Sequence, residues 1–156
     1  MAASYEIDQR DRVKYVKISG STNYNQLEAL FLQYVKDPAF EPDLRILADL
    51  SGMSDALAGL WEIQKLKKLY QYAYRDAVDV VDVIIVAKAG VAYRAARAFK
   101  LFMRDKRPLR IHICDTLDDA QSILGSSDQE QTKLVRNKSA ELLSFVVYTD
   151  TTNLDP

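Results

Sequence analysis

Between Arg45 and Gly52 the chain reads Arg45-Ile46-Leu47-Ala48-Asp49-Leu50-Ser51-Gly52, and a long helical pattern follows. A short apolar run that ends in an acid, a hydroxyl and a glycine has the form of a buried parallel strand. Such a strand carries polar groups to its carboxyl end, where ligands and partners bind in open α/β sheets. The segment therefore points to alternating strands and helices, and the rest of the pattern agrees with it.

Tyr5–Ile7 and Val13–Ile18 read as strands joined by the polar, hairpin-length connection Asp8-Gln9-Arg10-Asp11. Ser19-Gly20-Ser21-Thr22-Asn23 breaks the pattern and supplies several N-cap candidates. Leu27, Leu30, Phe31, Tyr34 and Val35 then recur at helical spacing until Pro38 and Pro42. Leu44–Leu50 is the third strand, residues 55–75 a helix, and residues 80–87 a β-branched strand buried on both faces. Gly90 leads into a helix over 91–104, and Leu109–Cys114 is the last strand. A short helix follows, capped by Thr116 and closed at Gly125. The order ββαβαβαβα implies a mixed sheet, parallel through its later strands, with helices packed on it. Two regions are expected: a domain over 1–125 and an extension over 126–156. The extension starts as a polar linker and contains the apolar run Leu142–Tyr148, expected to dock on the body or on a second copy.

A length of 156 residues with 48% hydrophobic content suffices for one core. The net charge of −1 argues against nucleic-acid binding, which calls for a basic excess. Cys114 is the single cysteine, and Met1–Glu6 lacks the basic and apolar regions of a signal peptide, so a cytoplasmic location is expected. The apolar run Val83–Ala87 is too short to span a bilayer, so no stable membrane insertion is expected.

With this order and Asp49-Leu50-Ser51-Gly52 in view, the chain resembles the STAS superfamily, and more closely the SpoIIAA-like small standalone bacterial proteins. The resemblance covers about residues 5–125. It rests on Leu47–Ser51, on Val83–Ala87 with the arginine-bearing helix after it, and on Asp115-Thr116-Leu117-Asp118-Asp119-Ala120. It implies an α/β regulatory or protein-interaction module, and, through kinship with lipid-exchange (CRAL-TRIO) folds, a carrier of small apolar ligands. The Asp-Ser/Thr-Ser-Gly phosphorylation motif of anti-sigma-factor antagonists is absent. The chain has Gly52-Met53-Ser54-Asp55-Ala56-Leu57 in its place, with Ser54 the nearest hydroxyl and the candidate for phosphorylation.

The candidate binding residues follow from position. Asp49 sits at a strand end, as an anchor or as an acceptor for the following loop's backbone. Ser51 and Ser54 precede a helix, whose N-terminus attracts anions; simple capping by Ser54 is the competing reading. On the helix over 55–75, Ala56, Leu60, Ile63, Leu66, Tyr70, Ala73 and Tyr74 are assigned to the sheet. Leu57, Trp61 and Tyr72 fall on another side, and large apolar groups outside a core mark interfaces. Arg94 and Arg97, with Lys100 and Arg104, form a basic stripe suited to an acidic partner or anionic headgroups, or simply to solvent.

His112 and Cys114 alternate along one strand face, about 7 Å apart, too far for direct proton transfer. No Gly-x-Ser-x-Gly elbow, P-loop, dinucleotide fingerprint or zinc-protease motif is present, and no cofactor or metal is expected. The leading expectation is a non-catalytic regulatory or interaction module. Its surface comprises the loop Asp49–Asp55 and the following helix, with Trp61 as anchor, and it binds a protein partner or a second copy. The alternative is a carrier or sensor of a small apolar or lipid-like ligand, with a pocket between the sheet and the helices at 55–75 and 91–104. A hydrolase using Asp49 and Ser51 ranks last, for want of an activating histidine nearby in sequence.

Overall fold

The structure is a computed structural model and describes residues 2–55, 60–104 and 108–126. The chain divides into two units, Met1–Ala120 and Gln121–Pro156. The apolar run Leu142–Tyr148 and its expected docking lie outside the described residues.

The first unit is built on a five-stranded sheet in the order β1-β2-β3-β4-β5. β1 (Ala2–Asp8) and β2 (Val13–Gly20) form an antiparallel hairpin. β3 (Arg45–Met53), β4 (Val81–Val86) and β5 (Leu109–Cys114) extend it in parallel. Each parallel step takes a helical crossover: α1 (Tyr24–Val35), α2 (Leu60–Ala73) and α3 (Val91–Met103). Residues 117–126 form a further helix, α4. Strands laid down in sequential order through right-handed crossovers place α1, α2 and α3 on the same face of the sheet. The core agrees, joining Leu27 of α1, Tyr74 just beyond α2 and Ala92, Ala96 and Met103 of α3 to Val16, Ile18, Ile46, Val83, Ile85 and Ile111 of the strands. β4 lies between two parallel neighbours and all six of its residues are buried, Asp82 among them, in keeping with its β-branched composition.

Local chemistry sets the boundaries. Asn23 caps α1 through a reciprocal box: its Oδ1 accepts from the Gln26 N–H at 3.0 Å, and Gln26 Oε1 accepts from the Asn23 N–H at 3.1 Å. Thr116 caps α4 by accepting from the Asp119 N–H at 3.1 Å, as expected.

Three expectations are corrected. β3 does not end at Leu50 but continues to Met53. A register shift between Lys17 and Ser19 of β2 inserts one extra residue into β3, after which Ser19 pairs with Gly52 and Gly20 with Met53. Gly52 is required there, since a Cβ would stand 2.9 Å from the Ser19 Cβ. The second helix ends at Ala73 rather than at 75, and past its end the Ala77 N–H bonds the Tyr74 carbonyl in a closing turn; it is described from Leu60, and positions 56–59 of its expected start lie outside the described residues. Gly125 does not close the last helix, which is described as far as 126, where the Ser126 hydroxyl donates to the Ser122 carbonyl at 3.1 Å.

Candidate ligand cavity

Three helices on one sheet face must fill the space over four parallel strands. They leave a cavity of about 110 Å³ between them. Its floor is Val16 and Ile18 of β2, Ala48 and Leu50 of β3, and Val83 and Ile85 of β4. Its walls are Leu27, Leu30, Phe31 and Tyr34 of α1, Ile63, Leu66 and Tyr70 of α2, and Ala95, Ala96 and Phe99 of α3. Ala48, Ala95 and Ala96 explain why space remains, because each stands where a larger apolar side chain would fill it. Leu30, Ala48, Leu50, Leu66, Tyr70 and Phe99 are only partly buried although they line the sheet–helix interface.

One end of the lining is aromatic and polar. The Phe31 ring meets Tyr34 at 4.9 Å and Tyr70 at 5.0 Å between centroids, and Tyr70 stacks on Tyr74 at 5.8 Å. Into this cluster β2 projects Lys14, which is fully buried. Its Nζ lies 3.0 Å from the Tyr34 ring centroid and donates to the Tyr74 hydroxyl at 3.2 Å. Burial, with no compensating carboxylate among the described residues, holds the Lys14 amine well below its ordinary pKa. Burial likewise pushes the Tyr34, Tyr70 and Tyr74 phenols up. The Tyr34 hydroxyl lies near those of Tyr70 and Tyr74, yet makes no well-aligned hydrogen bond among the described residues.

The candidate residues read from sequence stand elsewhere. Asp49 lies within β3, paired with Lys17 and Val86, and its Oδ1 accepts from the Ser51 N–H at 2.9 Å and the Ser51 hydroxyl at 2.6 Å. The two residues thus satisfy each other locally. Ser54 is exposed and its N–H donates to the Gly20 carbonyl at 3.1 Å; it tethers the end of β3 to β2, six positions before the first described residue of α2, so it is not seen as that helix's cap. Trp61 is 78% exposed and Tyr72 68% exposed, on the side of α2 away from the sheet as expected, about 16 Å apart along the helix. Leu57 lies outside the described residues. Arg94 and Arg97 are exposed on α3, with the Arg97 guanidinium 5.9 Å from the Tyr93 ring centroid. None of these residues lines the cavity. The helices at 60–73 and 91–103 do enclose it against the sheet, where the carrier alternative placed its pocket.

Two groups escaped the sequence reading. Lys14 had a signal, since it alternates with Val16 and Ile18 on one strand face, a position that a solvated lysine does not take. On the opposite face, buried Asp82 accepts from Arg110 at 2.6 and 3.0 Å and contacts His112 Nε2 at 2.8 Å. That pairing depends on the β4–β5 register, Asp82 opposite Arg110 and Ile84 opposite His112. Cys114 donates its thiol weakly to the Ile85 carbonyl at 3.7 Å and is not paired with His112.

A hairpin, three crossovers on one sheet face and a closing helix define a SpoIIAA-like α/β fold. A solved structure shares it: the crystal structure of an uncharacterized protein of the DUF3478 family with a SpoIIAA-like fold, from Shewanella loihica PV-4. It superposes with a TM-score of 0.52 at 20% identity, over 79% of this chain and 92% of that one. No family model and no curated protein matches the chain.

Proposed function

We propose that the chain is a non-catalytic binding module that holds a small apolar molecule in the cavity between its sheet and α1–α3, as a carrier or a sensor. The cavity itself supports this reading. It is walled almost wholly by carbon, and its volume of about 110 Å³ approaches the roughly 150 Å³ at which an apolar protein cavity takes up benzene. Apolar burial drives uptake, and the half-buried lining residues lose their remaining contact with water when the space is filled.

Titration of isotope-labelled protein with toluene tests it. Saturable shifts at the amides of Ile63, Leu66, Tyr70, Ala95 and Ala96 are expected; unmoved amides at a toluene-saturated concentration would refute the reading.

A second reading concerns the outside of α2. Trp61 and Tyr72 present large aromatic surface to water beside Lys65 and Lys68. It supports a contact with a protein partner or with a second copy of the chain, and light scattering over a concentration series distinguishes self-association from binding to another protein. In that surface Trp61 is the anchor, and Trp61→Ala is expected to abolish the association while leaving toluene uptake unchanged.

A further inference from the structure

Lys14 and the tyrosines around it are unexplained by a purely apolar ligand. On β2, Lys14, Val16 and Ile18 share a face, and the last two form cavity floor. Lys14 is therefore one alternate position, about 7 Å, from the cavity along the strand. Tyr34 and Tyr70, whose hydroxyls lie close together, are themselves cavity wall. Among the described residues the buried Tyr34 hydroxyl has the Tyr70 and Tyr74 hydroxyls near it but makes no well-aligned hydrogen bond, so it can still serve a ligand oxygen. Among the described residues no carboxylate stands within ion-pair distance of Lys14. The cluster thus holds an amine and three hydroxyls, all able to donate, and lacks an anionic acceptor. A carboxylate has acceptor oxygens only, and it would give the buried amine the counter-charge that lets it stay protonated.

Resting on the reading that the cavity binds an apolar molecule, we propose that Lys14, Tyr34, Tyr70 and Tyr74 form a head-group subsite at one end of it, and that the ligand is a small aromatic or branched aliphatic carboxylic acid. The cavity volume suits a ring or branched chain of about six carbons. The acid's apolar body lies over Val16, Ile18, Val83 and Ile85, and its carboxylate accepts from the Tyr34 and Tyr70 hydroxyls and from the Lys14 ammonium. No covalent bond forms. At neutral pH the ligand arrives as an anion, and any proton that the Lys14 amine takes up on pairing with it comes from solvent. Burial holds the Lys14 amine down and a neighbouring carboxylate raises it again, so binding favours proton uptake, and the ion pair forms out of contact with water.

Benzoate and toluene share a ring and differ in the carboxylate, so the full chain titrated with each separates the subsite from the cavity. Benzoate is expected to bind with net proton uptake, read by calorimetry in buffers of different ionisation enthalpy. Lys14→Met should weaken benzoate by about tenfold or more and leave toluene unchanged, and Tyr34→Phe, which removes a single oxygen, should weaken benzoate by about threefold to tenfold. Toluene binding without benzoate binding, or benzoate binding equally to wild type and both variants, overturns the subsite while the cavity reading stands. Binding of neither probe overturns both. Tyr34→Phe keeps the test decisive should Lys14→Met fail to fold.

Discussion

Burying a lysine among three tyrosines makes stability depend on pH in a direction that can be stated beforehand. The Lys14 amine sits below its unfolded pKa of about 10.4, so between its folded pKa and that value the unfolded chain binds a proton that the native one does not. Stability contributed by this group therefore rises with pH across that window, by at most about 1.4 kcal/mol per pH unit. The neighbouring Tyr34, Tyr70 and Tyr74, raised by burial, act in the opposite sense, taking stability away above about pH 10. Cys114, also raised chiefly by burial, does so above about pH 8.5. Lys14→Met removes only the first contribution. Urea unfolding from about pH 6 to pH 9.5 is expected to show the variant more stable near neutrality, with the gap closing as pH rises. A gap that does not change with pH would mean that the native amine is already protonated. At this scale the sequence was half legible. The alternation of Lys14 with Val16 and Ile18 was visible, but the tyrosines that enclose it come from α1 and from the end of α2, 20 and 56–60 residues further on.

Element types were readable because each obeys one pattern, a period of 3.6 in α1 and α3 and a β-branched run in β4 interrupted at Asp82. Boundaries were readable where a side chain sets them. Asn23→Ala removes the side-chain half of the capping box, leaving the Gln26 N–H without its acceptor, and is expected to destabilise the protein by about 1 kcal/mol in urea unfolding. The end of β3 was not readable, because it depends on a partner strand. The extra residue in β3 exists only relative to Lys17 and Ser19, and it turns what reads as a polar rim loop into a strand end with two more paired positions, Gly52 and Met53. Gly52 records that pairing. Gly52→Ala must push β2 and β3 apart at the Ser19 contact and is expected to lose about 1–3 kcal/mol, whereas Gly125→Ala, with nothing within 4 Å and inside a helical stretch, should be neutral or gain about 0.5–1 kcal/mol. Equal unfolding midpoints for the two variants would show that the β2–β3 approach is looser than described.

At the scale of the whole molecule, the sequential strand order decides where binding is feasible. It places three helices on one sheet face, so their small residues converge instead of being shared between two layers. The order of elements was legible in the sequence, and with it the layer in which a pocket would lie. The void was not, because alanine at 48, 95 and 96 reads simply as apolar until the three are known to face one another across β3 and α3. That convergence predicts how filling the space will act. Ala95→Leu adds three carbons to the wall of a cavity of about 110 Å³. Were all three buried without strain, the transfer gain would be about 0.8 kcal/mol per carbon; imperfect fit within a wall already set by Phe99 and Tyr70 reduces this to an expected net gain of about 1 kcal/mol. The same leucine occupies the space toluene would take. Thermal unfolding is therefore expected to show a raised midpoint for Ala95→Leu and no further rise on adding toluene, against a toluene-dependent rise for the wild type. A variant that is less stable, or that still responds to toluene, would place the usable volume away from α3 and towards α1, where Leu30 and Phe31 would be the next positions to change.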